Sequence, residues 1–186
     1  MAIERRLMTA EEFYTLPDDG TRMELVDGEV RKMVPPGSEH GRSSNLIGAH
    51  LLVYATSNPG VEVWGEAGFL IARNPDRVLA PDIAIIRTSR IPSSGVPKTF
   101  FPGPPDIAIE IVSPNDTANE ILDKVRDWFD GGALQVWAFY PGPPRLVVHR
   151  PDGSSQTLER DDAIDGGDLL PGFRMKVADL LGPLKS

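Results

Sequence analysis

Cysteine is absent from the 186 residues. Disulfides and thiolate metal sites are therefore excluded, and any bound cation must sit on oxygen or imidazole ligands. Long apolar runs are missing too. Nowhere does a stretch reach the roughly 18 residues that a membrane-spanning helix needs, so no membrane association is expected. The segment Met1 to Ala10 carries Glu4, Arg5 and Arg6 with no apolar stretch of signal-peptide length behind it, and a cytoplasmic location is the expectation. Positive charge is in deficit. Nineteen Lys and Arg against 27 Asp and Glu leave a formal net charge of -8, which argues against tight nucleic-acid binding, because such affinity comes mainly from Lys and Arg meeting phosphates. Net charge describes the whole surface, however, and a basic cleft can sit on an acidic body. There is no nucleophile elbow, no phosphate-cradling loop ending in Gly-Lys and no cysteine or histidine cluster. The serine-hydrolase and P-loop classes thus lack their defining residues.

What is present is an ordinary globular composition, 40% hydrophobic and 25% charged, of a length that suits a single domain over 1–186. Thr9-Ala10-Glu11-Glu12 has capping-box spacing and opens a short helix to about Leu16. Met23 to Val26 and Glu29 to Val34, joined by Asp27-Gly28, read as a hairpin. His40 to about Thr56 reads as a helix on the spacing of Ile47, Leu51 and Tyr54. Strands are predicted at Val61 to Ala72, Asp82 to Arg87, Asp106 to Val112, Leu134 to Tyr140 and Arg145 to Arg150. Between Arg87 and Pro105 no periodicity is visible, and a long surface loop is expected. Thr117 to Glu120 is a second capping box whose helix Gly131-Gly132 stops. The order of elements predicts an α/β (mixed α+β) fold, a mixed sheet flanked by helices with an additional N-terminal hairpin.

The chemistry concentrates in two strands. In Asp106 to Val112 the alternation is strict: Ile107, Ile109 and Ile111 share one face, Asp106, Ala108, Glu110 and Val112 the other. A mid-strand carboxylate such as Glu110 is costly to desolvate unless it is paired or metal-bound. Asp82 opens a second apolar strand. If the two strands are neighbours, both carboxylates converge on one cation, and oxygen ligands of this kind suit Mg²⁺ or Mn²⁺. Taken singly, each has an ordinary alternative, a strand cap for Asp82 and an ion pair for Glu110. On the helix that follows, Ile121, Leu122, Val125, Trp128 and Phe129 form an apolar stripe. Lys124 lies at its edge, either reaching the Glu110 face or laying its stem on the core with its ammonium in water. His40 falls on the stripe of its own helix, pointing towards one end of the sheet. His50 reads as a boundary residue and His149 as a solvent-facing strand residue.

Pro81-Asp82, Glu110-Ile111-Val112-Ser113-Pro114, Asp123-Lys124 and Gly131-Gly132-Ala133-Leu134-Gln135-Val136-Trp137 together resemble the bacterial Uma-type endonuclease family, which has the PD-(D/E)xK restriction-endonuclease-like fold. Met23 to Val30 and His40 match the same pattern. The resemblance implies a Mg²⁺- or Mn²⁺-dependent nuclease acting on nucleic acid, DNA foremost, and working as a homodimer. Asp82, Glu110 and the backbone carbonyl of Ile111 would be metal ligands. The usual lysine position, two after the glutamate, holds Val112, and Lys124 stands where a helix lysine would substitute. Glu24 would lie at the outer edge of the site with His40 close by. Where the family often has a carboxylate before proline, this chain has Tyr140, and Ala133 replaces a usual valine. Ser113-Pro114 is expected to end the strand and turn the chain into the helix, with the Ser113 hydroxyl as a candidate contact to bound water. Ile91, Phe100 and Phe101, expected to be open in the long loop, are candidate dimer contacts. Arg22, Arg31, Lys32, Arg42, Arg73, Arg77, Arg87 and Lys98 would have to line any basic groove. The alternative is a catalytically inactive relative serving as a binding or scaffolding module, which the acidic balance and the missing in-strand lysine favour.

Overall fold

The computed structural model describes residues 6–182; Glu4 and Arg5 of the N-terminal reading lie outside them. The chain opens on helix α1 (Ala10–Tyr14), and the Thr9 box is closed in both directions, with Glu12 N–H donating to the Thr9 hydroxyl and Thr9 N–H donating to the Glu12 carboxylate. Strands β1 (Met23–Val26) and β2 (Glu29–Lys32) follow as the expected hairpin. Its corner places Asp27 at φ 53° and Gly28 at φ 76°, the paired left-handed conformation that a two-residue turn between twisted strands requires. Helix α2 runs from Ser38–Thr56, two residues longer at its start than periodicity suggests.

The predicted strand over Val61 to Ala72 is two strands. β3 (Val61–Gly65) and β4 (Phe69–Ala72) are separated by Glu66 at φ 49° and belong to different sheets. β5 (Arg77–Leu79) and β6 (Ile83–Arg87) come next. The stretch expected to be a loop contains a 3₁₀ turn at Thr88–Arg90 and the short strand β7 (Phe101–Pro102). Then come β8 (Ile107–Ile111), helix α3 (Ala118–Asp130), β9 (Gln135–Tyr140), β10 (Arg145–His149), β11 (Ser155–Glu159), β12 (Ala163–Asp165), β13 (Arg174–Lys176) and α4 (Val177–Leu180). Gly132, at φ 99°, turns the chain from α3 towards β9 in a conformation closed to other residues without strain.

A six-stranded mixed sheet, β11-β10-β9-β8-β6-β3, forms the centre. The expected hairpin does not stand apart. It forms the edge of a five-stranded sheet, β2-β1-β5-β4-β7. Both faces of β8 are buried, which explains why the segment is so apolar on one side and so restricted on the other. Its isoleucine face packs with Ile47 and Leu51 of α2 and with Val177 and Leu180 of α4. Its Ala108 face packs with Val125 and Trp128 of α3 and with Val26, Phe69, Leu79 and Phe101 of the second sheet. Ile91, Phe100 and Phe101 are therefore not open residues. Phe101 is 3% exposed, Ile91 packs against the same cluster, and Phe100 stacks on Phe13 at 5.5 Å. The apolar content of the loop folds inward because β7 pairs with β4 and closes the second sheet.

Candidate active site

Strands β6 and β8 are antiparallel neighbours with Ile83 opposite Ile109. Continuing that register by one residue sets Asp82 against Glu110. Asp82, one residue before β6, is met by His40 of α2 and by the Ile111 N–H, whereas Glu110 is met by Lys124 and Trp128 of α3, and the two charges are near enough for Asp82 to act on Glu110. The condition set by the sequence, that the two strands be adjacent, is met. Asp82 is 5% and Glu110 7% exposed, so both carboxylates are held away from bulk water.

Each is embedded in donors. The Ile111 N–H donates to Asp82 Oδ2 at 2.7 Å, and His40 Nε2 lies 3.1 Å from the same oxygen. Arg22 Nη1 stands 3.3 Å from Asp82 Oδ1. On Glu110, the Trp128 indole N–H donates to Oε1 at 2.8 Å and the Lys124 ammonium to Oε2 at 3.1 Å. Lys124 and Trp128 sit one helical turn apart on α3, so the helix that covers the sheet presents both donors to one carboxylate. Glu24, on β1, accepts the Ala80 N–H at 3.4 Å and, with Lys124 and Glu110, lines a recess of about 270 Å³. Arg22, His40, Asp82, Ile111, Ser113 and Lys124 line an adjoining open cleft of about 370 Å³.

The electrostatics follow from this packing. Burial pushes the Glu110 carboxyl above its ordinary value, against the opposing pull of Lys124, and the Asp82 charge adds to the rise. Burial alone would also raise Asp82, but the His40 contact and the Ile111 N–H outweigh it and hold the group below its usual range. His40 is raised chiefly by its hydrogen bond to Asp82. Lys124 is raised by the charge of Glu110, so it remains an ammonium throughout the neutral range. Glu24 is raised by desolvation.

The arrangement thus brings together all five side chains singled out from the sequence, Asp82, Glu110, Lys124, Glu24 and His40, with Ile111 between them. Two further members were not assigned to the site in advance. Trp128 reads as core on its periodicity, and only its position one turn from Lys124 signals an indole N–H aimed at the strand. Arg22 reads as one of many basic residues. It reaches Asp82 because the backbone just before β1 runs beside Ala80, whose carbonyl accepts from Arg22 Nη2 at 2.7 Å. His50 is more buried than a boundary residue, its Nε2 lying 3.1 Å from the Gly182 carbonyl oxygen, and His149 is half-buried rather than solvent-facing. Of the other cations expected along a groove, Lys32 pairs with Asp19, Arg73 with Glu11 and Asp76, Arg77 with Asp27 and Asp127, and Arg87 with Asp106.

Hard carboxylate oxygens on adjacent strands fit Mg²⁺ or Mn²⁺ by their chemistry. Among the described residues no group of three or more histidine and carboxylate side chains gathers as a side-chain metal cage would. Backbone oxygen and water would therefore have to complete the coordination, which is the usual situation for Mg²⁺.

The mixed sheets flanked by helices make this a restriction-endonuclease-like fold. The chain belongs to the Uma2 family, described as "Putative restriction endonuclease", whose pattern matches residues 10–178. Its fold is shared by the crystal structure of "a putative nuclease belonging to DUF820" from Anabaena variabilis, with a TM-score of 0.81 and 21% identity over 94% of this chain and 97% of that one. Comparison with curated proteins gives no significant match.

Proposed function

We propose that this chain is a metal-dependent nuclease that hydrolyses phosphodiester bonds in nucleic acid, DNA foremost. The observation that carries the reading is the pair of opposed, buried carboxylates with the Lys124 ammonium 3.1 Å from one of them. Both carboxylates are met by donors of the chain, yet Glu110 is still held above its ordinary value by burial and by the Asp82 charge, so the fold alone leaves that acid incompletely compensated. Their placement is accounted for by a divalent cation held by Asp82, Glu110 and the Ile111 carbonyl, Mg²⁺ or Mn²⁺ by the donor set. Bound there, the cation supplies a water acidified for attack and charge neutralisation at the phosphate.

The side chains divide the remaining work. Lys124, kept protonated by Glu110, is no general base. Its ammonium orients the attacking water or stabilises the charge that accumulates on phosphate in the transition state. His40 Nε2 lies 3.1 Å from Asp82 Oδ2 and fixes that carboxylate in orientation, which places the imidazole to serve as an auxiliary proton carrier. Glu24 lies beside Lys124 and helps hold it at the recess. Pairing into a homodimer belongs to the same reading, through a contact other than Ile91, Phe100 and Phe101.

Lys124→Ala is expected to lower the cleavage rate by about a hundredfold or more, the scale for losing one preorganised donor to developing charge. Rates on supercoiled plasmid with Mg²⁺ and Mn²⁺ check this, and a variant as fast as the parent removes Lys124 from the mechanism. Competition by single strands, duplexes and small phosphodiesters in the same assay identifies the preferred substrate.

A further inference from the structure

Asp82 has two oxygens in very different circumstances. Oδ2 is engaged twice, by the Ile111 N–H at 2.7 Å and by His40 Nε2 at 3.1 Å. A carboxylate oxygen has two in-plane lone pairs, so Oδ2 has little capacity left for a third partner. Any divalent cation that uses Asp82 must therefore take Oδ1, and that is the oxygen that Arg22 Nη1 faces.

The hold of Arg22 on that oxygen is loose. A charge-assisted N–H···O bond to carboxylate is normally about 2.7–2.9 Å, and this one is 3.3 Å. The neighbouring Nη2 is by contrast firmly anchored on the Ala80 carbonyl at 2.7 Å. A second acid, Glu66, lies 3.6 Å from Nη1 and is mostly exposed. The Arg22 Nε is buried without a hydrogen-bond partner. The guanidinium is thus tethered at one corner, incompletely satisfied at another, and poised between two carboxylates at the third. It also lines the wall of the cleft that contains Asp82, His40 and Lys124.

We propose that Arg22 is a built-in counter-ion that occupies the Asp82 oxygen needed by a divalent cation, yields that oxygen when the cation enters, and then meets the substrate phosphate from its Ala80 anchor. Without the cation, the two buried carboxylates are each matched by a cation of the chain, Arg22 for Asp82 and Lys124 for Glu110. Nη1 alone would give way to a divalent ion at Oδ1, since Nη2 is held by the Ala80 carbonyl. The freed planar donor is then left at the cleft wall, with the fork geometry that suits phosphate oxygens. This role rests on the metal-site reading above and assigns Arg22 a task beyond it.

The test is calorimetric titration of Mn²⁺ into the full chain at low salt, comparing the parent with Arg22→Gln. An opposite charge within about 4–6 Å alters cation binding to a carboxylate by about tenfold or more, so Arg22→Gln should bind Mn²⁺ about tenfold more tightly while cleaving substrate more slowly. A residue that only repels the incoming cation would tighten metal binding when removed without slowing cleavage. Glu66→Gln, an exposed change remote from the core, tests the same balance in reverse. Removing the rival acid leaves Arg22 to Asp82, and Mn²⁺ affinity should fall by about two- to threefold, the scale of an exposed charge interaction. A parent that binds Mn²⁺ with both variants unchanged, or Arg22→Gln binding more weakly while still folded by circular dichroism, overturns the role of Arg22 alone. A parent that binds no Mn²⁺ overturns the metal site itself.

Discussion

Glu110→Gln should abolish cleavage and leave a protein at least as stable as the parent. Glutamine preserves the size of the side chain and the oxygen that accepts the Trp128 N–H, but it removes the charge a divalent ion requires. Metal ions supply several kcal/mol of transition-state charge stabilisation, which corresponds to a rate loss of roughly 10²–10⁴-fold. Stability should move the other way. The folded-state pKa of Glu110 is raised by burial despite the presence of Lys124. The folded chain therefore binds that proton more tightly than the unfolded chain does, and ionisation of Glu110 destabilises the fold as pH rises through its folded value. The glutamine variant escapes this cost. Its advantage in metal-free buffer should be present at neutral pH and vanish below the ordinary carboxylate value of 4.5, where the acid is protonated in both states. Lys124, left without its partner, is 44% exposed and can be hydrated. Melting temperatures in EDTA across this pH range check the sign, at about 2–4 °C for each kcal/mol in a chain of this size. A variant markedly less stable than the parent at neutral pH would mean that the Glu110 pair is structural first.

The second large effect falls on Trp128. Its side chain is 1% exposed, packs edge-on to Phe69 at 6.2 Å, and joins α3 to both sheets. Trp128→Ala should cost about 3–5 kcal/mol, the range for emptying a buried aromatic site, and lower the melting temperature by about 10 °C. The informative variant is Trp128→Phe, which keeps most of the packing and deletes only the N–H donated to Glu110 Oε1 at 2.8 Å. Groups that orient metal ligands typically affect metal affinity or activity by about 10–100-fold. Trp128→Phe should therefore lose at least tenfold in activity or Mn²⁺ affinity while retaining a melting temperature much nearer to the parent. If the two variants fall together in stability and activity, the indole is a core residue and nothing more.

These cases show where the sequence was readable. The opposition of Asp82 and Glu110 was half visible. Period-2 alternation placed Glu110 on a definite strand face, but that β6 neighbours β8 is a non-local fact that no local pattern carries. The capping boxes at Thr9 and Thr117 and the Asp27-Gly28 turn were legible because their signals lie within a few residues. The division of Val61 to Ala72 has a local signal in Gly65-Glu66-Ala67-Gly68, whose two glycines interrupt the apolar pattern where the chain leaves one sheet for the other. What the residue type does not show is that Glu66 itself takes the left-handed conformation. β7 was lost in a proline-rich stretch because a two-residue strand pairing with β4 has no periodicity to detect. Lys124 could be placed only at the edge of its stripe, whereas Arg22 came from a segment without periodic pattern, brought to Asp82 by the pairing of the hairpin with β5. The acidic balance extends to the site itself, where Glu24, Glu110, Asp116, Glu120, Asp123 and Asp127 outnumber Arg31 and Lys124 around the recess. Many basic residues elsewhere are neutralised locally, while Arg22 and Lys124 concentrate positive charge on the two central acids.

The central claim is that Asp82 and Glu110 hold a divalent cation for phosphodiester hydrolysis. Plasmid and single-strand cleavage by the parent and by Asp82→Ala, with Mg²⁺, with Mn²⁺ and in EDTA, tests it most directly. The account predicts cleavage by the parent that needs the metal and is absent from Asp82→Ala. Cleavage that persists in EDTA, or that survives in folded Asp82→Ala, would contradict it.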